Sequence, residues 1–279
     1  MTLAGLLEKP SGDVAGSRVP SLDKDYSLAE ALRVMERAGV DRAVLTEDGS
    51  PRGIMTLRDV IFKLGTVRTK RAYIGGLHAS SFMSEPLVTV APGDPLRSAL
   101  EAMEKGGFTS VPVVEGGSLV GVVTRRELAG LVAEEPEASD IRVLDVMRSF
   151  IVSVSLQDRI LHVRQLLASY DLSVVPVVEE GKFVGVVGVD EVAEVFLAYY
   201  NLARGEPKRL TSLKYVVAAD AVRLRPPKVE PDASLAEAAY KMVESGYRAV
   251  IVVDGDRPVG FISGLEIAQA ILARGGVRG

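Results

Sequence analysis

One helix-and-hairpin pattern recurs four times along the 279 residues at fixed internal spacing. That repetition restricts the chain to a repeat architecture before composition has anything to add. Each copy opens with apolar or small residues spaced for one helix face: Leu28, Ala31, Leu32, Met35; Leu96, Ala99, Leu100, Met103; Ile160, Val163, Leu167; and Leu235, Ala238, Ala239, Met242. A helix stop stands eleven residues after each opening position, Gly39, Gly107 and Gly246, with Asp171 in the third copy; glycine there suits a left-handed C-terminal position. A strand-like run follows, such as Ser-Val-Pro-Val-Val from Ser110 or Val-Val-Pro-Val-Val from Val174. Next comes an acidic or glycine-rich turn at Asp48-Gly49, Gly116-Gly117, Glu180-Gly181 and Gly255-Asp256. A second strand is expected to start near Gly53, Gly121, Gly185 and Gly260, each 25 residues after its opening Leu or Ile.

The repeat starts lie 68, 64 and 75 residues apart, so the unit is constant and the connections vary. Variable connections are expected at the surface. The element order, strand-helix-strand-strand-helix, predicts an α+β fold. The boundaries read as an N-terminal extension 1–17, repeat 1 at 18–66, a basic linker 67–82, repeat 2 at 83–134, a linker 135–142, repeat 3 at 143–200, a second basic linker 201–224, and repeat 4 at 225–275. The polar stretch Ala133–Asp140 is taken as an open break between two halves of two repeats each.

Composition removes several chemistries. There is no cysteine, which excludes disulfides, thiolate metal sites and thiol nucleophiles, and the only imidazoles, His78 and His162, lie far apart in sequence. No metal site and no catalytic residue is expected. The N-terminus lacks a secretory pattern and no apolar run approaches the roughly 18 residues of a membrane span, so a cytoplasmic protein without membrane insertion is expected. Few amide side chains (Asn201, Gln157, Gln165, Gln269) beside many Glu, Arg and Val suggest a heat-adapted source.

Gly-Ile-Met-Thr-Leu-Arg-Asp from Gly53 to Asp59 and Gly-Val-Val-Thr-Arg-Arg-Glu from Gly121 to Glu127, set in this element order, resemble the motif of the CBS-domain family. The resemblance covers nearly the whole chain in four copies. It implies two pseudo-twofold modules of paired repeats, clefts that accept AMP, ADP, ATP or S-adenosylmethionine with no cofactor required, and a sensing rather than catalytic role. Four repeats in one chain fit a monomer, or a homodimer through the modules. The resemblance extends to stand-alone archaeal four-repeat proteins, some of which bind ribosomes and hold them inactive. That points to a ribosome or rRNA partner and to a part in hibernation or translation control; the alternative is a nucleotide-sensing regulatory subunit of a separate metabolic enzyme or transporter.

Two physical readings of the motif stand side by side. A strand ending in Gly-x-x-Thr-x-x-Asp at a helix start offers free N–H groups to a phosphate, a Thr hydroxyl beside it and a carboxylate for ribose hydroxyls. Thr56 and Asp59 fit those roles, with Arg58, Arg125 and Arg126 as phosphate countercharge; Thr124 with Glu127, and Ser263 with Glu266, repeat the pattern less closely. The third copy has Gly188 in place of the hydroxyl. Equally, each hydroxyl and acid three residues apart satisfies a helix capping box that needs no ligand.

The charge is segregated. Residues 63–71 hold Lys63, Arg68, Lys70 and Arg71 without an acid, and residues 201–228 hold Arg204, Lys208, Arg209, Lys214, Arg223, Arg225 and Lys228 against Glu206 and Asp220, although the chain as a whole carries −4. Basic connections on acidic repeats are either simply solvated or a phosphate-backbone contact surface, with Tyr73, Tyr199, Tyr200 and Tyr215 in or beside them as possible base-stacking groups. The end segments Ser11–Ser17 and Arg274–Gly279 are expected to fray unless a large partner holds them.

Overall fold

The computed structural model of the chain describes residues 2–64, 76–149, 152–203 and 211–275. The four expected units are all present. Each begins with a lead helix (Leu28–Ala38, Leu96–Gly106, Ile160–Ser169, Leu235–Ser245) and ends with a trailing helix (Leu57–Lys63, Arg125–Ala133, Val189–Ala203, Gly264–Gly275). The apolar stripes of the lead helices are buried, Leu28 and Ala31 completely. Gly39, Gly107 and Gly246 end three of these helices at φ of 64°, 65° and 71°, and Asp171 takes the same left-handed conformation at φ 48°. Asp and Asn tolerate this region better than other residues with a Cβ.

Between the two helices of each unit runs an antiparallel hairpin, Arg42–Glu47 with Ser50–Thr56 in the first copy. The turn residues Asp48 and Gly49 both have positive φ, as do Gly116 with Gly117 and Glu180 with Gly181. This matches the twist of a two-residue hairpin turn. Because the turn is so short, the second strands start three residues before the spacing-marked glycines, at Ser50, Ser118, Lys182 and Arg257. All four hairpins carry an irregularity at the same place, after Leu45, Val113, Val177 and Val252. A preceding segment adds in parallel to each first strand: Ser21–Asp23 and Lys228–Val229 as strands, Val90 and Val154 as single bridges.

The marked glycines have another purpose. At each, the backbone of a segment leading into a different repeat crosses the second strand. A Cβ on Gly53 would lie 2.9 Å from the Ser84 carbonyl, on Gly121 3.1 Å from that of Gly16, and on Gly260 2.6 Å from that of Arg148. On Gly185 it would collide with the carbonyl of Arg223. Only glycine admits so close a backbone.

By density of contacts the chain divides into two units, one of Met1–Ser17, Val88–Ile151 and Arg225–Gly279, the other of Arg18–Leu87 and Val152–Leu224. The first unites repeats 2 and 4, the second repeats 1 and 3. In the first, the trailing helix Arg125–Ala133 packs on both helices of repeat 4, and it lies so close to Gly264 that a Cβ there would strike Arg125. In the second, Leu57–Lys63 packs on Val189–Ala203. Ala133–Asp140 is therefore no open break between compact halves. Pro136–Asp140 is a 3-10 turn inside the first unit, with Ala138 and Ile141 fully buried against the lead helix of repeat 4.

The N-terminal segment is held by the chain itself and needs no partner to order it. Thr2 caps a short helix, Leu3–Leu7, whose Leu3, Leu6 and Leu7 enter the core with Leu96, Leu100 and Ile271. Leu3 N donates to Glu137 Oε2 at 2.7 Å, Ser11 N to Asp94 O at 2.7 Å, and Gly16 exchanges both backbone hydrogen bonds with Val122 at 3.0 Å. At the other end, Arg97 donates to Gly275 O at 3.0 Å, and residues 276–279 lie outside the described part. Truncating the fully buried Leu7 to Ala should cost about 2–5 kcal/mol and lower the melting temperature clearly, whereas Leu144→Ala, at a side chain 50% exposed, should leave it nearly unchanged.

Candidate functional site

The strand-to-helix junctions carry the residues singled out in sequence. In repeat 1, Thr56 caps the helix Leu57–Lys63: its Oγ1 accepts from Asp59 N at 3.1 Å and donates to Asp59 Oδ2 at 2.6 Å, and Thr56 N donates to the same carboxylate oxygen at 3.0 Å. In repeat 2, Thr124 Oγ1 accepts from Arg126 N at 3.0 Å and donates to Glu127 Oε2, which also takes Thr124 N at 3.1 Å. In repeat 4, Ser263 Oγ and N reach Glu266 Oε2 at 2.5 and 2.9 Å. These are reciprocal capping boxes.

Repeat 3 lacks the hydroxyl but keeps the acid. Gly188 N donates to Glu191 Oε2 at 2.8 Å, and Arg223 Nε lies 3.1 Å from Glu191 Oε1. Glu191 was not among the residues expected from sequence, although it stands three positions after Gly188 as the other acids stand after their hydroxyls. Burial pushes its carboxyl above the ordinary carboxylate range, and the Gly188 N–H and Arg223 oppose that shift.

The four junctions differ in access. Thr56, Asp59 and Glu127 are half-buried, whereas Thr124, Ser263, Glu266 and Glu191 are buried. In each capping box one carboxylate oxygen takes both contacts. Among the described residues nothing bonds Oδ1 of Asp59, so that atom retains acceptor capacity. Glu127 Oε1 faces the N-terminal segment, where a Cβ on Gly16 would lie 3.0 Å away.

The arginines go to different uses. Arg58 donates to Leu172 O at 3.1 Å, Leu167 O at 3.3 Å and Asp171 Oδ1 at 2.6 Å, and its guanidinium lies 4.9 Å from the Phe62 ring centroid. It thus closes the C-terminal end of repeat 3's lead helix, a favourable place for a cation. Arg125 donates to Phe108 O at 2.8 Å. Arg126 is exposed and reaches toward the helix-ending Gly246, where a Cβ would lie 3.9 Å from its Nη2. Arg58 and Arg126, equivalent in their repeats, both approach the end of a lead helix in the other repeat of their unit.

Of the basic residues expected to meet a partner, Lys63 donates to Met83 O at 3.0 Å and Arg223 pairs with Glu191. Lys214 lies over the Tyr215 ring, Arg225 is exposed at φ 58°, and Lys228 is exposed on an edge strand. Arg68, Lys70, Arg71, Arg204, Lys208 and Arg209, together with Tyr73, fall outside the described residues. Among the described residues no group of three or more metal-ligating side chains comes together, and no helix is long and apolar enough to cross a membrane.

Comparison with known proteins places these junctions in context. The family model described as "CBS domain" matches residues 12–65, 79–134, 143–198 and 218–273. Protein MJ1404 of Methanocaldococcus jannaschii is 24% identical over 278 residues; the alignment covers 95% of this chain and 62% of that one, so the chain spans under two thirds of this relative. The crystal structure of protein MJ1225 from the same organism, presented as a candidate archaeal homologue of g-AMPK, superposes with a TM-score of 0.83 at 15% identity over 94% of this chain and 99% of that one. A conserved protein of Pyrococcus horikoshii superposes at 0.60 with 16% identity, covering 83% and 91%.

Two measurements test the roles assigned by geometry. Arg58→Ala should destabilise by about 1–3 kcal/mol because two carbonyls lose a charged donor. Asp171→Gly should be close to neutral, because the exposed ion pair is screened and glycine relieves the positive φ; chemical denaturation of the two variants separates them. For Glu191, the protonated acid is favoured in the folded state. Its contribution to stability is present below the ordinary carboxylate pKa and lost as pH rises through the elevated folded value. Melting curves of Glu191→Gln across that range should show a flatter pH dependence than the parent.

Proposed function

Since the chain belongs to the CBS-domain family, we propose that it is a non-catalytic regulatory protein that binds an adenine nucleotide at the repeat junctions and passes the bound state to a large partner, the ribosome in the first instance. The observation that carries the nucleotide half is the unbonded Oδ1 of the half-buried Asp59 beside the half-buried Thr56. A carboxylate that has spent one oxygen on a cap can still accept from a pair of ribose hydroxyls with the other. The Thr56 hydroxyl donates its hydrogen bond to Asp59 Oδ2 and accepts one from Asp59 N, so it meets a ligand as an acceptor, and a phosphate would first have to displace the bond to Asp59. Recognition in repeat 1 thus favours the ribose, with Arg58 engaged at the helix end of repeat 3.

Repeat 2 adds a complementary element, the exposed guanidinium of Arg126 near Thr124 and Glu127, a countercharge open to phosphate. The buried Ser263–Glu266 pair makes repeat 4 a lesser site. The likeness of fold to MJ1225, presented as a candidate homologue of g-AMPK, supports a sensing role for this architecture. The partner half draws on the exposed Lys214, Arg225 and Lys228 beside the second basic linker.

Thermal shift with AMP, ATP and S-adenosylmethionine tests the nucleotide. A ligand at about a hundred times its Kd should stabilise the parent by about 2.7 kcal/mol. Asp59→Ala should lose most of the ligand-induced shift from repeat 1, read as a difference so that the missing cap, worth about 1 kcal/mol, drops out. If none of the three ligands moves the parent's midpoint, the nucleotide reading fails. Cosedimentation with ribosomes that weakens as salt rises is expected for the partner; no pelleting at low salt removes it.

A further inference from the structure

Among the described residues Tyr215 is the most exposed of the large apolar side chains, at 62%, and two cations lie over its ring. The Lys214 ammonium lies 4.8 Å from the ring centroid and the Arg159 guanidinium 5.9 Å. Arg159 Nη1 also donates to Tyr215 O at 2.8 Å, so the guanidinium is tied to the backbone that carries the ring. Neither cation has an ion-pair partner among the described residues. The acids nearest in sequence are turned to other work: Asp158 accepts from Ser155 N at 2.7 Å and Asp220 from Val217 N at 3.0 Å. Long cationic side chains on a surface normally wander; here Arg159 is tied to the backbone of Tyr215, Lys214 lies over the ring, and neither charge is paired among the described residues.

A solvated face needs no such arrangement. Fixed cations beside an open aromatic ring match one ligand chemistry well, a base to stack on the ring with phosphates on either side. Ordering the cations beforehand lowers the entropy that binding must overcome. The sequence extends the same sign of charge upstream from Lys214 through Lys208 and Arg209. We propose that Arg159, Lys214 and Tyr215 form a docking platform for single-stranded RNA, with Tyr215 as the stacking residue and the two cations on neighbouring phosphates. The inference sharpens the partner half of the proposed function and is independent of the nucleotide half.

Fluorescence anisotropy with a labelled single-stranded oligoribonucleotide about 12 nucleotides long, at about 50 mM salt, tests it on the full-length protein. Tyr215→Ala should weaken binding by about 5- to 150-fold, while Tyr215→Phe keeps most of it. Lys214→Ala should weaken binding and reduce the log–log salt slope by about 0.7. Tyr215 is exposed, so an unchanged melting temperature confirms that the variants are folded. The proposal is overturned if the parent does not bind, if Tyr215→Ala binds as the parent does, or if inorganic polyphosphate or a polyglutamate peptide competes as well as the RNA, which would make the cluster a charge patch only. Ribosome pelleting retained by Tyr215→Ala would remove this platform and leave the partner reading standing.

Discussion

In every repeat the chain turns from sheet to helix on one bond, from the backbone N–H of the residue at the turn to a carboxylate three positions on. Thr56 with Asp59, Thr124 with Glu127 and Ser263 with Glu266 strengthen it with a hydroxyl, and Gly188 with Glu191 makes it without one. The bond satisfies a donor that the helix cannot and fixes where the trailing helix starts. The packing within each unit depends on those helices, and repeat 3 shows that the turn forms with the acid and without the hydroxyl. The third repeat lacks that side chain and keeps the fold.

The same bond explains why fold and ligand compete at these junctions. A carboxylate that caps has one oxygen left, and its value to a ligand depends on whether solvent reaches it. Asp59 and Glu127 are only half-buried; Glu191 and Glu266 are buried. In repeat 3 the remaining oxygen is taken by Arg223 from the segment entering repeat 4, so the protein's own cation stands at that carboxylate. Four copies of one motif thus differ in chemistry through burial and neighbours more than through the motif residues themselves.

Arg58 illustrates how a side chain's surroundings decide its use. A guanidinium beside a helix start reads naturally as a phosphate ligand, and this one reaches across to the helix end of repeat 3, where three acceptors converge. Helix-end carbonyls without intrahelical partners carry partial negative charge, so they too attract a cation. The N-terminal segment follows the same logic: leucines spaced for a helix face find apolar surface within the chain, and the fold holds a segment that looked free to fray.

The sequence by itself determined the repeats, their helices, hairpin turns, left-handed helix stops and capping acids, with Glu191 marked by the same three-residue offset as the others. All of these rest on contacts within a few residues or across a two-residue turn, and such contacts leave a fixed spacing in the chain. Tertiary structure alone decided which repeats share a unit, because the apolar faces of the trailing helices, such as Leu128 and Ile267, are chemically alike and name no partner. It also decided that the marked glycines admit a crossing backbone, where the arginines end, and that Tyr215 stays in solvent with two cations over its ring. Each depends on residues far apart in sequence being brought together, which no local pattern encodes.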